Sequence, residues 1–379
     1  MSAEPLGAAA TTAFGLVGHE DARQRARAAL RSGRLSHALL ISGEGGLGKG
    51  LFALWLVAAS WCAADDAPCG TCPTCRKVET LQHPDLSILK RVTGDDEDPE
   101  GFGSRFEITV EQVRQLAVAA LGLRPLEASG RAIVVDGSDD MNEESQNALL
   151  KVLEEPPRGA RLLLVSSRPD RMLPTIRSRC QEIRLAPLGD AQMQVFVGEG
   201  EQGLAALARG RPGRLALLRS LDVRALLEAF DGALAGRGTE RFGDRAQELA
   251  RRARGGDDAD DAEDEVSDGL LDPAGARGPA TLVRRPPDEV AAQRLVLEVL
   301  LARLRDLAAA AAGVPLREGQ GGSKALTAAL LPLPVVDLPA GWEDLERGLL
   351  EAGEDLRRHI PGSVAWTAFV QILRGRARG

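Results

Sequence analysis

The chain has 379 residues, 44% of them hydrophobic, which is enough for two or three domains with apolar cores. Its formal net charge is −8, but seven acidic residues fall between Asp257 and Glu265, so the rest of the chain is close to neutral. This balance argues against a strongly basic DNA-binding surface, and no apolar run approaches the roughly 20 residues of a membrane helix, so no membrane role is expected.

The amino-terminal half alternates between strand and helix patterns. Four short segments are nearly all apolar and predict buried strands: Ala38–Ser42, Leu86–Leu89, Arg131–Asp136 and Arg161–Ser166. A helix is predicted before the first strand, over His19–Leu30, and further helices between the later strands, over Val110–Leu121 and from the N-cap Asn142 to Glu155. Apolar strands that alternate with helices predict a parallel sheet covered on both faces, with a ligand at the carboxyl ends of the strands.

The carboxyl-terminal half has helical patterns without strands. Helices are predicted over Gln202–Ala208, Leu215–Leu218 and Val223–Leu234, and apolar residues recur at helical spacing from Val290 onward. Between them, Gly255 to Pro287 is rich in Gly, Pro, Asp and Glu. That composition cannot bury apolar surface and predicts a disordered acidic insertion, most simply a solvated tether.

A phosphate-loop pattern, Gly-Glu-Gly-Gly-Leu-Gly-Lys-Gly, follows the first predicted strand. In such loops backbone N–H groups and a helix N-terminus surround phosphates, and the lysine reaches the outer ones, so ATP is the expected ligand. The residues expected at the nucleotide are Gly43, Gly45, Gly48, Lys49, Gly50 and Asp136.

Two groups needed for hydrolysis are missing from this pattern. Gly50 stands where a Ser or Thr hydroxyl would bind Mg²⁺, and Gly137 stands where a water-activating carboxylate would follow Asp136. Whether Asp139 or Asp140 reaches in from the next loop stays open. The sequence therefore predicts little or no hydrolysis, and a loop kept only because it packs and turns correctly is the alternative to ATP binding.

Four cysteines, Cys62, Cys69, Cys72 and Cys75, lie within fourteen residues. Two C-x-x-C steps and a fourth thiolate at a helix end suit tetrahedral Zn²⁺, and four protein ligands leave no open position, so the zinc is expected to be structural. A disulfide or a redox pair is less favoured, because the N-terminus shows no export signal; a cytoplasmic location with reduced thiols is expected. Cys180 is distant and is not expected to be a fifth ligand.

In combination, these motifs resemble the delta-prime subunits of bacterial DNA polymerase III clamp loaders, in the AAA+ superfamily. The resemblance covers Val17 to about Ser220, and order and spacing make it specific. Besides the phosphate loop and the cysteines, it rests on Gly18-His19-Glu20, His37-Ala-Leu-Leu, His83-Pro-Asp-Leu, Ile108 to Leu116, Asn147 to Pro157 and Leu173 to Cys180.

The resemblance implies an architecture and a set of partners. It implies an α/β AAA+ P-loop domain over 1–186 with a zinc module at 62–75, a helical lid over 187–220, and an all-α collar over 221–379 that contains the insertion at 255–287. It implies work within the polymerase III holoenzyme, beside gamma/tau and delta subunits, in ATP-driven loading of a sliding clamp onto primed DNA. The chain itself is expected to be neither a polymerase nor an active ATPase.

The resemblance also assigns a role to Arg179. In Ser178-Arg179-Cys180 this arginine is expected to enter the ATP site of a neighbouring subunit, where a guanidinium suits the oxygens of the transferring phosphoryl group. Arg177 is the alternative, and a surface pair with a carboxylate such as Glu182 is the plainer interpretation. Arg214 is a weaker candidate for sensing nucleotide.

Two other functions remain open at this stage. The chain could be a self-contained P-loop ATPase, or the zinc module could bind nucleic acid directly, although only Arg76 and Lys77 lie immediately beside it. His37 and His83 flank predicted strands and are expected to be packed or bonded to the backbone, rather than to act as bases.

Overall fold

A computed structural model describes residues 13–91, 107–235, 237–238, 241–252, 289–311 and 346–351. The described residues up to Val195 form one compact unit, and those from Phe196 onward form another. The predicted insertion at 255–287 and most of the chain after Ala311 lie outside the described residues, and the division into three domains stays a prediction. Within the described ranges, no helix has the length and hydropathy to cross a membrane.

The first unit is built on a five-stranded parallel sheet. The strands are β1 Ala38–Ser42, β2 Leu86–Leu89, β3 Ala132–Asp136, β4 Arg161–Ser166 and β5 Gln181–Arg184, and they lie in the order β2-β3-β4-β1-β5. The four predicted strands and their parallel arrangement are confirmed. The sequence did not predict β5, because this edge strand keeps most of its side chains exposed and therefore lacks an apolar run.

Helices connect these strands. They are α1 Glu20–Arg31, α2 Lys49–Trp61, α3 Pro73–Glu79, α4 (Val110–Gln112, the π-helical Val113–Ala119 and Ala120–Gly122), α5 Glu143–Glu154, α6 Pro174–Arg177 and α7 Asp190–Met193. The predicted N-cap of α5 is confirmed, because the Asn142 side chain accepts a hydrogen bond from the Ser145 N–H at 2.9 Å.

Both faces of the sheet are covered by apolar side chains, as the continuous apolar strands predicted. On one face, Leu39 and Ile41 of β1 pack with Phe52 and Trp55 of α2, all fully buried. On the opposite face Leu40 packs in a second cluster, which includes side chains of α4 and α5. Because successive side chains of a strand point to opposite faces, one short strand serves both clusters.

The described part of the second unit is helical. Its helices are α8 Gln202–Ala208, α9 Pro212–Ser220, α10 Val223–Leu234, α11 Phe242–Arg252 and α12 Glu289–Ala311, and residues 346–351 are also helical. The three helices predicted between 202 and 234 are confirmed, and the helical pattern predicted from Val290 onward is confirmed over the described residues up to Ala311 and at 346–351. Arg303 on α12 is fully buried and donates from Nε to Asp231 on α10 at 3.1 Å.

Candidate functional site

The phosphate loop lies at the carboxyl end of β1, where the parallel sheet places ligand sites. Two of its glycines are required by geometry. A Cβ on Gly43 would lie 2.5 Å from the Leu185 carbonyl oxygen, and Gly48 has a φ of 76° where it caps the N-terminus of α2. The backbone thus turns directly into a helix N-terminus, which is the geometry that an anion-binding loop needs.

Lys49 at the start of α2 is buried and already bonded within the chain. Its Nζ donates to the Glu44 carbonyl oxygen at 2.7 Å and to the Ser167 hydroxyl at 2.9 Å. Gly45 is exposed and Gly50 is half-buried on the same loop and helix. A phosphate that recruits Lys49 must therefore compete with acceptors that the protein supplies.

The loop after β3 answers the question that the sequence left open about Asp139. Its carboxylate accepts hydrogen bonds from the Ser167 N–H at 3.1 Å and from Arg168 Nε at 3.0 Å. Burial raises the pKa of Asp139, but these bonds and the charge of Arg168 outweigh burial and lower it below its usual value. Asp139 thus bonds the backbone of Ser167, the residue whose hydroxyl accepts from Lys49, and Asp139 is paired with Arg168.

The other acidic residues near this edge are arranged differently. Asp136 ends β3 and is half-buried, and Gly137 follows it with a φ of 82°. Asp140 is paired with Arg91 at 2.9 Å. Sequence reasoning missed Ser167 and Arg168 altogether; their position directly after β4 was the only available signal, since parallel strands deliver such residues to one edge.

A cavity of about 260 Å³ lies beside the first turn of α1. His19 contributes to its wall and donates from Nε2 to the Leu47 carbonyl oxygen of the phosphate loop at 2.9 Å. Burial lowers the pKa of His19, which keeps the ring neutral at neutral pH. The cavity is also lined by Glu20, Arg25, Arg184, Leu188 and Gln192.

Arg179 lies at the opposite end of the parallel strands from the phosphate loop, where β1 begins. It precedes β5, and the register pairs Gln181 of β5 with Leu39 of β1, so Arg179 lies level with the start of β1. The phosphate loop begins after the end of β1. Along the strand direction, Arg179 and the phosphate loop are therefore separated by the length of β1. Five residues at about 3.3 Å per residue span about 16 Å.

In the isolated chain Arg179 forms an ion pair, though not with Glu182. Its NH2 donates to Glu154 Oε1 at 2.7 Å, and its NH1 donates to the Thr175 carbonyl oxygen at 3.0 Å. Glu182 instead accepts from the Ser42 hydroxyl at 2.5 Å. The Arg179 side chain is 38% exposed, so the guanidinium is held on one side and open on the other.

The four cysteines Cys62, Cys69, Cys72 and Cys75 converge as predicted. Their Sγ atoms all lie within 4.8 Å of one another, and the sulfurs of Cys62 and Cys72 are 3.9 Å apart. Tetrahedral zinc with Zn–S bonds of about 2.3 Å requires sulfur separations of about 3.8 Å. The donor set and its dimensions therefore fit a zinc ion.

Local backbone geometry presents these sulfurs. Cys62 directly follows α2, and Cys72 caps the N-terminus of α3, where its Sγ accepts from the Cys75 N–H at 3.4 Å. The Cys72 N–H donates to Cys69 Sγ at 3.3 Å in the same way. The Thr71 hydroxyl and nearby N–H groups lower the pKa of Cys69 to about 6, whereas burial raises that of Cys75.

Helix α1 supports the loop that carries the cysteines. Arg27 donates from Nε to the Ala67 carbonyl oxygen at 2.9 Å, and its guanidinium lies 5.4 Å from the centre of the Trp55 ring. Arg31 donates to the Asp65 carbonyl oxygen at 2.8 Å. The module is thus anchored to the core of the first unit, as expected of a structural site.

The remaining sequence candidates have structural contacts. His37 Nε2 donates to the Leu153 carbonyl oxygen at 3.1 Å, and buried His83 stacks on Trp61 with ring centres 4.6 Å apart. Arg214 donates to the Leu207 carbonyl oxygen at 3.0 Å and pairs with Glu298. Cys180 packs against an apolar cluster of the sheet.

Comparison with known proteins agrees with the resemblance. A family model described as "DNA polymerase III, delta subunit" matches residues 18–189. The delta' subunit of Bacillus subtilis DNA polymerase III is 34% identical over 156 residues, which are 41% of this chain and 44% of that protein. The delta' subunit of Pseudomonas aeruginosa is 36% identical over 200 residues, 50% of this chain and 57% of that protein.

The chain spans about half the length of these curated relatives. The tau subunit of Escherichia coli is 28% identical over 56% of this chain and 32% of its own length. Among solved structures, a gamma subunit-related protein of Thermotoga maritima has a TM-score of 0.44 at 16% identity. The alignment covers 93% of this chain and 99% of that protein. The sequence similarity to the family model covers residues 18–189, which hold the phosphate loop, the cysteines and Arg179.

Proposed function

We propose that this chain is a delta-prime subunit of DNA polymerase III and acts within a multi-subunit clamp loader. The proposal is supported by the family-model match over residues 18–189 and by the similarity to two delta' subunits. In this role it contacts gamma/tau and delta subunits and helps ATP-driven opening of a sliding clamp and its placement on primed DNA. Its contribution to catalysis is Arg179, supplied to the ATP site of a neighbouring subunit.

The observation that carries this proposal is the position of Arg179. The parallel sheet puts the phosphate loop at the carboxyl ends of the strands and Arg179 at the amino ends, with the length of β1 between them. An arginine so placed cannot serve its own phosphate loop, but an exposed guanidinium at this edge can meet a nucleotide bound by another subunit. A planar, permanently charged donor fork stabilises the charge of a transferring phosphoryl group.

The phosphate loop supports a non-hydrolysing role for the chain itself. Lys49 already has the Glu44 carbonyl and the Ser167 hydroxyl as acceptors, and Gly50 offers no hydroxyl to Mg²⁺. Asp139, which follows β3 and bonds to the Ser167 N–H, is paired with Arg168 at 3.0 Å. If ATP binds here, Gly43, Gly45 and Gly48 would offer backbone N–H groups to its phosphates, and Lys49 would have to exchange its present acceptors for phosphate oxygens.

Zinc is proposed as a structural ion at Cys62, Cys69, Cys72 and Cys75. When bound, it would join the end of α2 to the start of α3 through four thiolates and leave no coordination position for a substrate. Direct nucleic-acid binding by this module has less support, because Lys77 is paired with the Glu127 carboxylate at 2.7 Å. The charge of Lys77 is thus matched within the chain.

The test is reconstitution of the full chain with gamma/tau and delta subunits, followed by assay of DNA- and clamp-stimulated ATP hydrolysis. Arg179→Ala should abolish hydrolysis at the one site that this chain completes, since a missing arginine finger costs about 10³-fold or more in rate at its site. Assembly, measured by gel filtration, should be unchanged. Arg177→Ala distinguishes the two candidate arginines: Arg177 is also exposed at the end of α6, and its replacement should leave hydrolysis unchanged if Arg179 is the finger.

Unchanged hydrolysis in an intact Arg179→Ala complex would refute the proposed role of this arginine. ATP turnover by the isolated chain that is lost on Lys49→Ala would instead favour the self-contained ATPase.

A further inference from the structure

Glu154 is the carboxylate that holds Arg179 in the isolated chain. It is the last residue of α5, and its Oε1 accepts from Arg179 NH2 at 2.7 Å. Helix α5 ends beside the start of β1, where His37 bonds to the Leu153 carbonyl oxygen at 3.1 Å. The carboxylate is therefore fixed to the rigid sheet unit at the same edge as the arginine.

Two hydrogen bonds, from different nitrogens of Arg179 to different acceptors, fix the plane of its guanidinium. Besides Glu154, the Thr175 carbonyl oxygen of α6 accepts from NH1 at 3.0 Å. A guanidinium has five N–H donors. These two bonds use two of them, so three remain for an acceptor outside the subunit, on the side where Arg179 is exposed.

We propose that Glu154 is a positioning residue, which holds the Arg179 guanidinium in the orientation that the neighbouring ATP site requires. This inference rests on the proposed function of Arg179. An arginine side chain has large rotamer freedom. Because orienting it before the reaction removes an entropic cost from the activation barrier, a held arginine gives faster hydrolysis than a mobile one. Glu154 acts through Arg179 and does not itself touch the nucleotide.

The alternative is that Glu154 competes with phosphate for Arg179 and must be released. The two ideas differ in their predicted sign. Removal of a positioning carboxylate slows the neighbour's hydrolysis, whereas removal of a competing one speeds it. They also differ for Glu154→Gln, because the amide oxygen can still accept from Arg179 while the negative charge is gone.

The experiment uses the reconstituted complex with full-length chains, in which the phosphate-loop lysines of all other ATP sites are replaced by alanine. Only the site completed by this chain then turns over. We expect Glu154→Ala to lower kcat about tenfold with KM for ATP nearly unchanged, and Glu154→Gln to stay within about twofold of wild type. In the Arg179→Ala background, Glu154→Ala should have no further effect.

Controls separate positioning from general damage. Glu155→Ala changes the neighbouring exposed carboxylate and should leave kcat unchanged. Thermal unfolding of Glu154→Ala should match wild type closely, because an ion pair this exposed contributes little to stability. If Glu154→Ala does not fold, Glu154→Lys at matched folding, checked by circular dichroism, provides the same loss of acceptor and should also lower kcat.

The outcomes are distinguishable. If Arg179→Ala abolishes turnover but Glu154→Ala leaves or raises it, positioning by Glu154 is refuted while the proposed function stands. Equal losses for Glu154→Gln and Glu154→Ala would also overturn the inference, because charge and not geometry would then matter. If Arg179→Ala has no effect, both ideas fail together.

Discussion

The buried carboxylate of Asp85 holds three backbone N–H groups of the loop that precedes β3. Its side chain is fully buried, and its carboxylate accepts from the N–H groups of Leu126, Glu127 and Ala128 at 2.7, 2.7 and 2.8 Å. The NH2 of Arg131 lies 3.6 Å from Asp85 Oδ1. One residue before β2 thus fixes the loop that leads into β3.

Asp85→Asn keeps the shape of this side chain and removes its charge. One oxygen of the carboxylate accepts from Leu126, and the other accepts from Glu127 and Ala128. An amide has one oxygen and one NH₂ group, so in either orientation at least one buried N–H donor loses its acceptor. An unsatisfied buried donor costs about 1–3 kcal/mol and a bond to a charged group contributes about 1.5–3 kcal/mol. We expect a loss of about 3 kcal/mol.

Thermal unfolding followed by circular dichroism measures this loss. For a unit of this size, about 3 kcal/mol corresponds to a decrease in Tm of roughly 6–12 °C. Glu127→Gln is the matched control: it lies in the same loop, but its pair with Lys77 is about half exposed, so its removal should cost under about 1 kcal/mol.

The pH dependence supplies an independent check. Burial raises the pKa of Asp85, but the three N–H bonds and Arg131 outweigh burial and lower it below its usual value. A carboxylate with a lowered folded pKa stabilises the fold above its unfolded pKa of about 3.9, and that contribution is lost as pH falls through the lower folded value. The difference between wild type and Asp85→Asn should therefore be constant near neutrality and shrink below about pH 4. A difference that persists in acid, or a Tm change no larger than that of Glu127→Gln, would refute the reasoning.

Two further predictions concern the metal and the phosphate loop. The purified chain should contain one zinc ion by elemental analysis, and Cys72→Ser should reduce zinc content and lower Tm; a chain purified without chelators that holds no zinc would contradict the assignment. Lys49→Met should lower Tm without any nucleotide, by an amount corresponding to about 1 kcal/mol, because the Glu44 carbonyl and the Ser167 hydroxyl lose a charged donor. An unchanged Tm would show that these contacts add nothing to stability.

Much of the sheet unit could be predicted from local sequence signals. Continuous apolar runs identified β1 to β4, and the N-cap preference of Asn142 gave the start of α5 to the residue. Strand β5 escaped because an exposed edge strand has no apolar run to detect. The convergence of the cysteines was predictable because their close spacing leaves few geometries that satisfy a metal.

The contacts that decide what the site can do were not predictable in this way. The plainer interpretation of Arg179 named a nearby carboxylate such as Glu182, three residues away. Its partner in the isolated chain is instead Glu154, which is distant in sequence and brought near by the end of α5. Likewise, the Asp85 clamp joins residues about forty positions apart. Such pairings depend on which elements the tertiary fold places side by side, and periodicity carries no information about them.

The carboxyl and amino ends of the strands carry different functional groups in this chain, and this difference constrains how the chain can assemble. At the carboxyl edge the phosphate loop lacks a metal-binding hydroxyl, and its lysine is bonded to the chain itself, so this edge has little need of an arginine from another subunit. At the amino edge Arg179 is held by Glu154 and remains open to an outside acceptor. Under the proposed function, a neighbour's ATP hydrolysis depends on Arg179 of this chain, whereas the phosphate loop of this chain does not depend on an arginine from another subunit. A subunit of that kind is suited to the end of a row of subunits, where one face completes a site and the other is not required to receive one.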